Sequence, residues 1–264
     1  MQDLTLTLVQ SNLVWEDRKE NLKHFEVLME QIAQQTDVIL LPEAFNTGFS
    51  MNPERLAEPI WGPTMEWMKN QAEKHQAIVA GSLFIHENGH FFNRFVWMSP
   101  KGEFQYYDKA HLFRYGGEHE TFSNGKQKTF ISFKGWRISP LICYDLRFPV
   151  WSMNQWDKDS GFDFDLLLYV ANWPSRRIHA WKSLLVARAI ENQCFVAGVN
   201  RCGIDGNNIN HNGSSLIVDP NGNIISDIPL DLDYVETITL KKALLDEWRS
   251  QFQAWQDWDR FQII

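Results

Sequence analysis

At 264 residues the chain can form one large α/β domain, removing roughly 70–75% of its unfolded surface from water. A net charge of −8 argues against a nucleic-acid partner, which needs clustered Lys and Arg to displace phosphate counterions, and favours small molecules. Three cysteines without CxxC or Cys/His spacing argue against a disulfide framework and a metal site, and no apolar run reaches the roughly 18 residues of a membrane span.

Reduced thiols and the lack of a basic, then apolar leader point to a cytoplasmic protein with no membrane partner. In chain order, Leu4 to Val9 alternates as a half-buried strand does. A helix is expected next: Asp17 and Glu20 form a capping-box pattern, and Leu22, Phe25, Leu28 or Met29, and Ile32 share one face. Val38 to Leu41 is a short apolar run, expected for a strand covered on both sides, and it ends in Pro42-Glu43. Thr64 to Gln76 reads as a helix and Ile78 to Phe84 as a strand, which gives the alternation of an α/β fold. A turn at Glu87-Asn88-Gly89-His90 and another at Pro100-Lys101-Gly102 then predict a meander ending at Glu103–Tyr107.

Asp108-Lys109-Ala110-His111 follows at once and places Lys109 and His111 on one face of an extended backbone. Residues Arg114 to Lys128 are glycine-rich and polar, a loop long enough to be functional. Thr129 to Phe133 and Trp136 to Ile142 read as a hairpin that delivers Cys143 to a strand edge. Asp165 to Val170 is a buried strand ending in Ala171-Asn172-Trp173-Pro174, and Ala180 to Glu191 is a helix. Cys194 to Val199, Gly213 to Val218 and Asn223 to Ile228 are expected strands, and Lys241 to Ser250 a final helix. Residues 252–264 carry Trp255, Trp258, Phe261 and two isoleucines, too apolar for a free end, so this tail is expected to pack on the body or on a second subunit. No linker divides the chain, which therefore reads as a single domain over 1–264.

Three ionisable groups thus fall at strand edges: Glu43, Lys109 and Cys143. A thiol attacking an amide needs a base for its proton, cations or N–H groups to hold the oxyanion, and an acid for the departing nitrogen. Glu43 fits the base and acid roles, Cys143 the nucleophile, and Lys109 with the Tyr144 N–H the oxyanion site. Lys109 is also expected to lower the thiol pKa. Taken singly, each residue is equally a buried thiol, a helix cap or a surface charge. His111 fits a hydrogen bond to Glu43 or Lys109 rather than a Cys–His dyad, Cys194 is expected in the core, and Cys202 sits near an accessible strand end. Without a phosphate loop or a dinucleotide fingerprint, no cofactor is called for.

Leu40-Leu41-Pro42-Glu43, Asp108-Lys109-Ala110-His111-Leu112-Phe113 and Cys143-Tyr144-Asp145-Leu146-Arg147-Phe148-Pro149 resemble, in order and spacing, the three signature blocks of the nitrilase superfamily of carbon–nitrogen hydrolases. The resemblance covers nearly the whole chain. It implies a four-layer αββα sandwich, a Glu43–Lys109–Cys143 triad with a thioester intermediate, and a homodimer. Family members carry a second glutamate seven residues before a glycine. Glu118 stands so before Gly125, with Glu120 as the rival and Asn124 in place of the family's proline.

Within the superfamily, the Arg114–Glu118 loop and the Ala171–Pro174 turn are most similar to bacterial omega-amidases, which implies hydrolysis of the terminal amide of 2-oxo acids such as 2-oxoglutaramate and 2-oxosuccinamate. Arg147 would pair with the substrate carboxylate, or else form a salt bridge with Asp145 or another acid. Trp173 and Phe45 would wall the pocket. The alternatives are an aliphatic amidase or nitrilase acting on an uncharged substrate and, in another class, a non-catalytic scaffold.

Overall fold

The computed structural model describes residues 2–263. Its first half runs β1 (Leu4–Gln10), α1 (Arg18–Met29), β2 (Val38–Leu40), α2 (Pro53–Leu56), α3 (Pro63–His75), β3 (Ile78–Glu87), β4 (His90–Met98) and β5 (Phe104–Asp108). A one-turn helix α4 (Glu118–Thr121) leads to β6 (Ile131–Phe133) and β7 (Trp136–Ile142), and a 3-10 turn over Cys143–Arg147 follows directly. The second half contains β8 (Trp156–Asp157), β9 (Gly161–Phe162), β10 (Leu166–Ala171), α5 (Ile178–Asn192), β11 (Phe195–Asn200), β12 (Cys202–Ile204), β13 (Asn210–Asn212), β14 (Leu216–Val218), β15 (Tyr234–Leu240) and α6 (Lys242–Gln251).

One sheet has the order β15-β1-β2-β3-β4-β5 and the other β14-β11-β10-β7-β6. Strand parity explains how they stack. Leu4, Leu6 and Leu8 of β1 join Val38 and Leu40 in a core shared with Ile138, Leu141 and Leu166 of the second sheet. Val9, Ile39 and Val79 point the other way, onto Phe25, Leu28 and Met29 of α1 and Met65 and Met68 of α3. On the far side, α5 supplies Trp181, Leu185 and Ala189, and α6 supplies Leu245, to the core that includes the second sheet. The layers are thus helix, sheet, sheet, helix, the expected αββα sandwich. Each fully buried leucine or phenylalanine contributes roughly 1.5–3 kcal/mol of transfer free energy, so these two apolar clusters dominate the favourable side of folding.

Local signals account for the helix starts. Asp17 caps α1 by accepting from the Glu20 N–H at 3.1 Å, and Pro63 opens α3, where its missing N–H costs nothing. Ile32 lies beyond the end of α1. One expectation fails in the second half and one strand is additional to those expected. Asn223–Ile228 forms no strand, only a bridge from Ile224 to Val218, because nothing covers Ile224 and Ile225, which stay exposed. Conversely, β15 was not foreseen; it runs antiparallel to β1 over seven residue pairs, from Leu4–Leu240 to Gln10–Tyr234. Threonine hydroxyls lock that register, Thr5 with Thr239 at 3.0 Å and Thr7 with Thr237 at 2.8 Å.

Much of the tail lies on its own chain. Trp255 packs against Trp156 with ring centroids 4.4 Å apart, Trp258 against Phe162, and Gln193 Nε2 donates to the Phe252 carbonyl at 2.6 Å. Ile264 lies outside the described residues. Among the described residues no helix is long and apolar enough to cross a membrane.

Candidate active site

Four strand ends converge on one pocket. β2 and β5 end just before Glu43 and Lys109, and β7 and β10 run straight into Cys143 and Asn172. β2 and β5 run in the same direction, as do β7 and β10, so each sheet offers its carboxyl edge. Asn172 joins the sheets: its backbone N–H donates to Glu43 Oε2 at 2.8 Å, and its side-chain Nδ2 donates to the Glu43 carbonyl at 2.6 Å.

The chain makes sharp reversals at both edges. Ala44 has φ 45° and Cys143 also φ 45°, left-handed values that cost a non-glycine residue about 1–3 kcal/mol and must be held by neighbouring contacts. At Cys143 the holder is Asp145. Fully buried, it accepts from the Ile142 N–H at 3.0 Å, the Tyr107 hydroxyl at 2.8 Å and the His111 N–H at 2.9 Å, with His111 Nδ1 also 2.8 Å away. Asp145 therefore ties the turn at Cys143 to the segment that follows Lys109. This corrects two expectations. His111 bonds Asp145 rather than Glu43 or Lys109, and Asp145 is not paired with Arg147.

Lys109 is the hub of the buried charges. Its Nζ lies 2.9 Å from Glu43 Oε1 and 3.0 Å from both oxygens of Glu118, and neither carboxylate is exposed to solvent. Asn93 on β4 donates to Glu43 Oε1 at 2.8 Å and to Glu118 Oε1 at 3.3 Å, and is oriented by the Ser82 hydroxyl, 2.9 Å from its Oδ1. Glu118 also accepts from the Phe113 N–H at 2.5 Å, which folds the Arg114–Glu118 loop back over Lys109. Gly125 makes that crossing possible, because a Cβ there would sit 2.1 Å from the Asp108 carbonyl oxygen. Glu120, the rival, is exposed on α4.

Electrostatics follow from this burial. Desolvation alone would lower Lys109, but Glu118 and then Glu43 outweigh it and hold the ammonium well above its ordinary value. Burial raises Glu118 despite the attraction of Lys109. The Cys143 thiol is pushed well up, first by burial and then by Glu43, and Lys109 offsets only part. Lys109 does lower the thiol as expected, but burial and then Glu43 outweigh it. Cys143 is the partly exposed cysteine; Cys194 and Cys202 are buried, the latter contrary to expectation because β12 pairs with β13 and its Sγ turns to Asp233.

Cys143, Lys109 and Tyr144 line a cavity of ≈ 190 Å³ that also reaches Arg147 and Trp173. The Arg147 guanidinium lies over the Trp173 ring at 4.9 Å. Phe45 does not line this cavity. The reversal at Ala44 sends its ring into the core against Phe25 and Trp67, and Phe49, four residues on, takes the wall position with its ring 4.8 Å from Lys109 Nζ. Sequence reading also missed Asn93, Ser82, Arg176, Arg177 and His211. Polar residues inside apolar strands were the available signal for Ser82 and Asn93. Among the described residues no three His, Cys, Asp or Glu side chains are grouped as metal ligands would be.

The family model for carbon–nitrogen hydrolases matches residues 5–250. The chain belongs to that family and is a hydrolase of carbon–nitrogen bonds. It is 43% identical to the omega-amidase YafV of Escherichia coli (strain K12) over 264 residues, the full length of both. It is 37% identical over 250 residues to the 2-oxoglutaramate amidase of Bacillus subtilis (strain 168), covering 91% of this chain and 95% of that one. Among solved structures, XC1258 from Xanthomonas campestris, a CN-hydrolase superfamily protein with an arsenic adduct in its active site, superposes with a TM-score of 0.96 at 45% identity, covering all of both chains. Nit3 of Saccharomyces cerevisiae, a member of the nitrilase superfamily, shares the fold with a TM-score of 0.81 at 24% identity over 95% of this chain and 94% of that one.

Proposed function

We propose that this hydrolase cleaves the terminal amide of short 2-oxo acids, with 2-oxoglutaramate as the type substrate, through a thioester on Cys143. The observation that carries the chemistry is the buried Glu43–Lys109–Glu118 cluster, whose Lys109 shares a pocket lining with the partly exposed Cys143. The substrate class rests on Arg147, which has no ion-pair partner among the described residues, and on the similarity to enzymes named omega-amidase and 2-oxoglutaramate amidase.

The steps follow from the positions. Because the resting thiol is neutral, Glu43 takes its proton as sulfur attacks the amide carbon. The oxyanion so formed is held by the Lys109 ammonium and the Tyr144 N–H. Glu43 then gives the proton to the amide nitrogen, the C–N bond breaks and ammonia leaves. Next, Glu43 takes a proton from water, which adds to the thioester carbon. The C–S bond breaks, the sulfur regains its proton, and the dicarboxylate is released. Glu118 touches no reacting atom in this scheme; it keeps Lys109 charged and aimed.

Ammonia release from 2-oxoglutaramate, 2-oxosuccinamate, a neutral aliphatic amide and a nitrile tests the reading. Preferential turnover of the oxo-acid amides supports it. Turnover of the neutral amide or nitrile alone removes the substrate class, and silence across the panel points to a different carbon–nitrogen substrate. A homodimer is part of the same reading, supported by the exposed Leu244 and Phe252 on and after α6; sizing with and without residues 252–264 tests the tail's share in it.

A further inference from the structure

The pocket lining concentrates positive charge in a protein of net charge −8. Three guanidinium groups line it, Arg147, Arg176 and Arg177, and none forms an ion pair among the described residues. Asp205 is the one carboxylate in the lining among the described residues, and its Oδ1 is engaged by the Asn207 and Ile209 N–H groups at 2.8 and 2.9 Å. His211 adds no charge at neutral pH, because burial holds it down to about 4.

Arg147 and Arg177 are fixed through one indole. Trp173 carries Arg147 over its ring at 4.9 Å, and its Nε1 donates to the Arg177 carbonyl at 2.8 Å. The Arg177 guanidinium in turn sits over Phe113 at 5.3 Å, so its stem is ordered by the loop that covers Lys109. Burial, then the charge of Arg176, lowers Arg177 from its ordinary value, as happens when a cation lacks a counterion. A guanidinium donates hydrogen bonds and accepts none, so two of them demand a ligand end made of oxygen acceptors.

We infer that Arg177 is a specificity-determining residue that, with Arg147, binds the 2-oxo-carboxylate end of the substrate and rejects the corresponding 2-amino acid amide. This rests on the reading of the site as an oxo-acid amidase. A 2-oxo acid presents a ketone oxygen beside the carboxylate, and both accept from guanidinium groups. An amino acid amide such as glutamine presents an ammonium at the same carbon, which repels the guanidiniums and offers them no lone pair.

The test compares kcat/KM for 2-oxoglutaramate, glutaramate, which lacks the oxo group, and glutamine, using the full-length wild type and the R177M and R177K variants, with thermal unfolding to verify folding. Loss of one charge-assisted contact predicts that R177M lowers kcat/KM for 2-oxoglutaramate by about 10- to 100-fold, and that this loss exceeds the loss for glutaramate by about tenfold. Glutamine should gain relative to 2-oxoglutaramate in R177M. R177K, which keeps the charge but not the planar fork, should retain the rejection of glutamine while losing part of the 2-oxoglutaramate rate. Equal losses for all three substrates, or no loss for 2-oxoglutaramate, would overturn the role of Arg177 while leaving the oxo-acid reading intact. A wild type that does not prefer 2-oxoglutaramate to a neutral amide would overturn both.

Discussion

Replacing Lys109 by Met removes the one ammonium between two fully buried carboxylates while keeping most of the side-chain volume. Each contact, at 2.9 and 3.0 Å, represents roughly 5–6 kcal/mol of attraction at an effective dielectric of about 20, and most of that offsets the cost of burying the ions. Breaking such a buried arrangement leaves a net destabilisation of about 3–5 kcal/mol. The sign of its pH dependence is fixed. In the wild type the folded Lys109 value is raised, so its stabilisation is fully present at acidic and neutral pH and is lost only as pH rises through that value. In the variant, Glu43 and Glu118 are buried without a counterion, and deprotonating them grows costlier as pH rises. Urea unfolding should therefore show a larger deficit at pH 8 than at pH 5, by at least about 1 kcal/mol, and Glu118→Gln added to Lys109→Met should recover part of it. Ammonia release should fall by about 10²–10³ in kcat, the usual effect of losing one oxyanion donor. A deficit equal at both pH values, or activity within about tenfold of wild type, would refute the assignment of Lys109 as the hub.

Iodoacetamide should modify Cys143 before Cys194 or Cys202, because the latter two are buried while Cys143 is partly exposed and lines the pocket; equal labelling of all three, followed by peptide mass, would count against a site open at Cys143. Arg147→Ala should raise KM for an acidic amide by about tenfold or more with little change in kcat, since a carboxylate remote from the reacting bond contributes uniform binding; unchanged steady-state kinetics would remove that contact. His211, held near 4 against about 6.5 when unfolded, contributes stability that is present above pH 6.5 and lost as pH falls towards 4, about 3 kcal/mol in all. Chemical unfolding at pH 7 and pH 4.5 should show that loss diminished in His211→Gln, and an identical acid response in both proteins would contradict it.

The parts of the site that could be read from sequence are those where an apolar strand ends in a charged or nucleophilic residue, as at Glu43, Lys109 and Cys143. Glu118 was suggested only by the family resemblance, and the structure places it on Lys109 while showing that Gly125 passes too close to the Asp108 carbonyl for a Cβ. Phe45 misled because the left-handed turn at Ala44 reverses which side chain faces the pocket, information that local apolarity does not contain. Asn93 and Asn172 could not be assigned because their partners, Glu43 among them, lie 50 and 129 residues away. β15 escaped for a related reason. Only partly buried along most of its length, it owes its place to pairing with β1 at the opposite end of the chain. The thiol's raised pKa was likewise invisible, since it comes first from burial and then from Glu43, neither of which the sequence around Cys143 reveals.

Acid-quenching the enzyme during turnover of 2-oxoglutaramate and mapping the peptide that contains Cys143 by mass spectrometry addresses the mechanism most directly. A thioester pathway requires an acyl group on Cys143 whose mass equals the substrate less ammonia, and it requires ammonia release to vanish in Cys143→Ala. Full turnover with no adduct on that peptide, together with undiminished ammonia release in the variant, would contradict nucleophilic catalysis at Cys143.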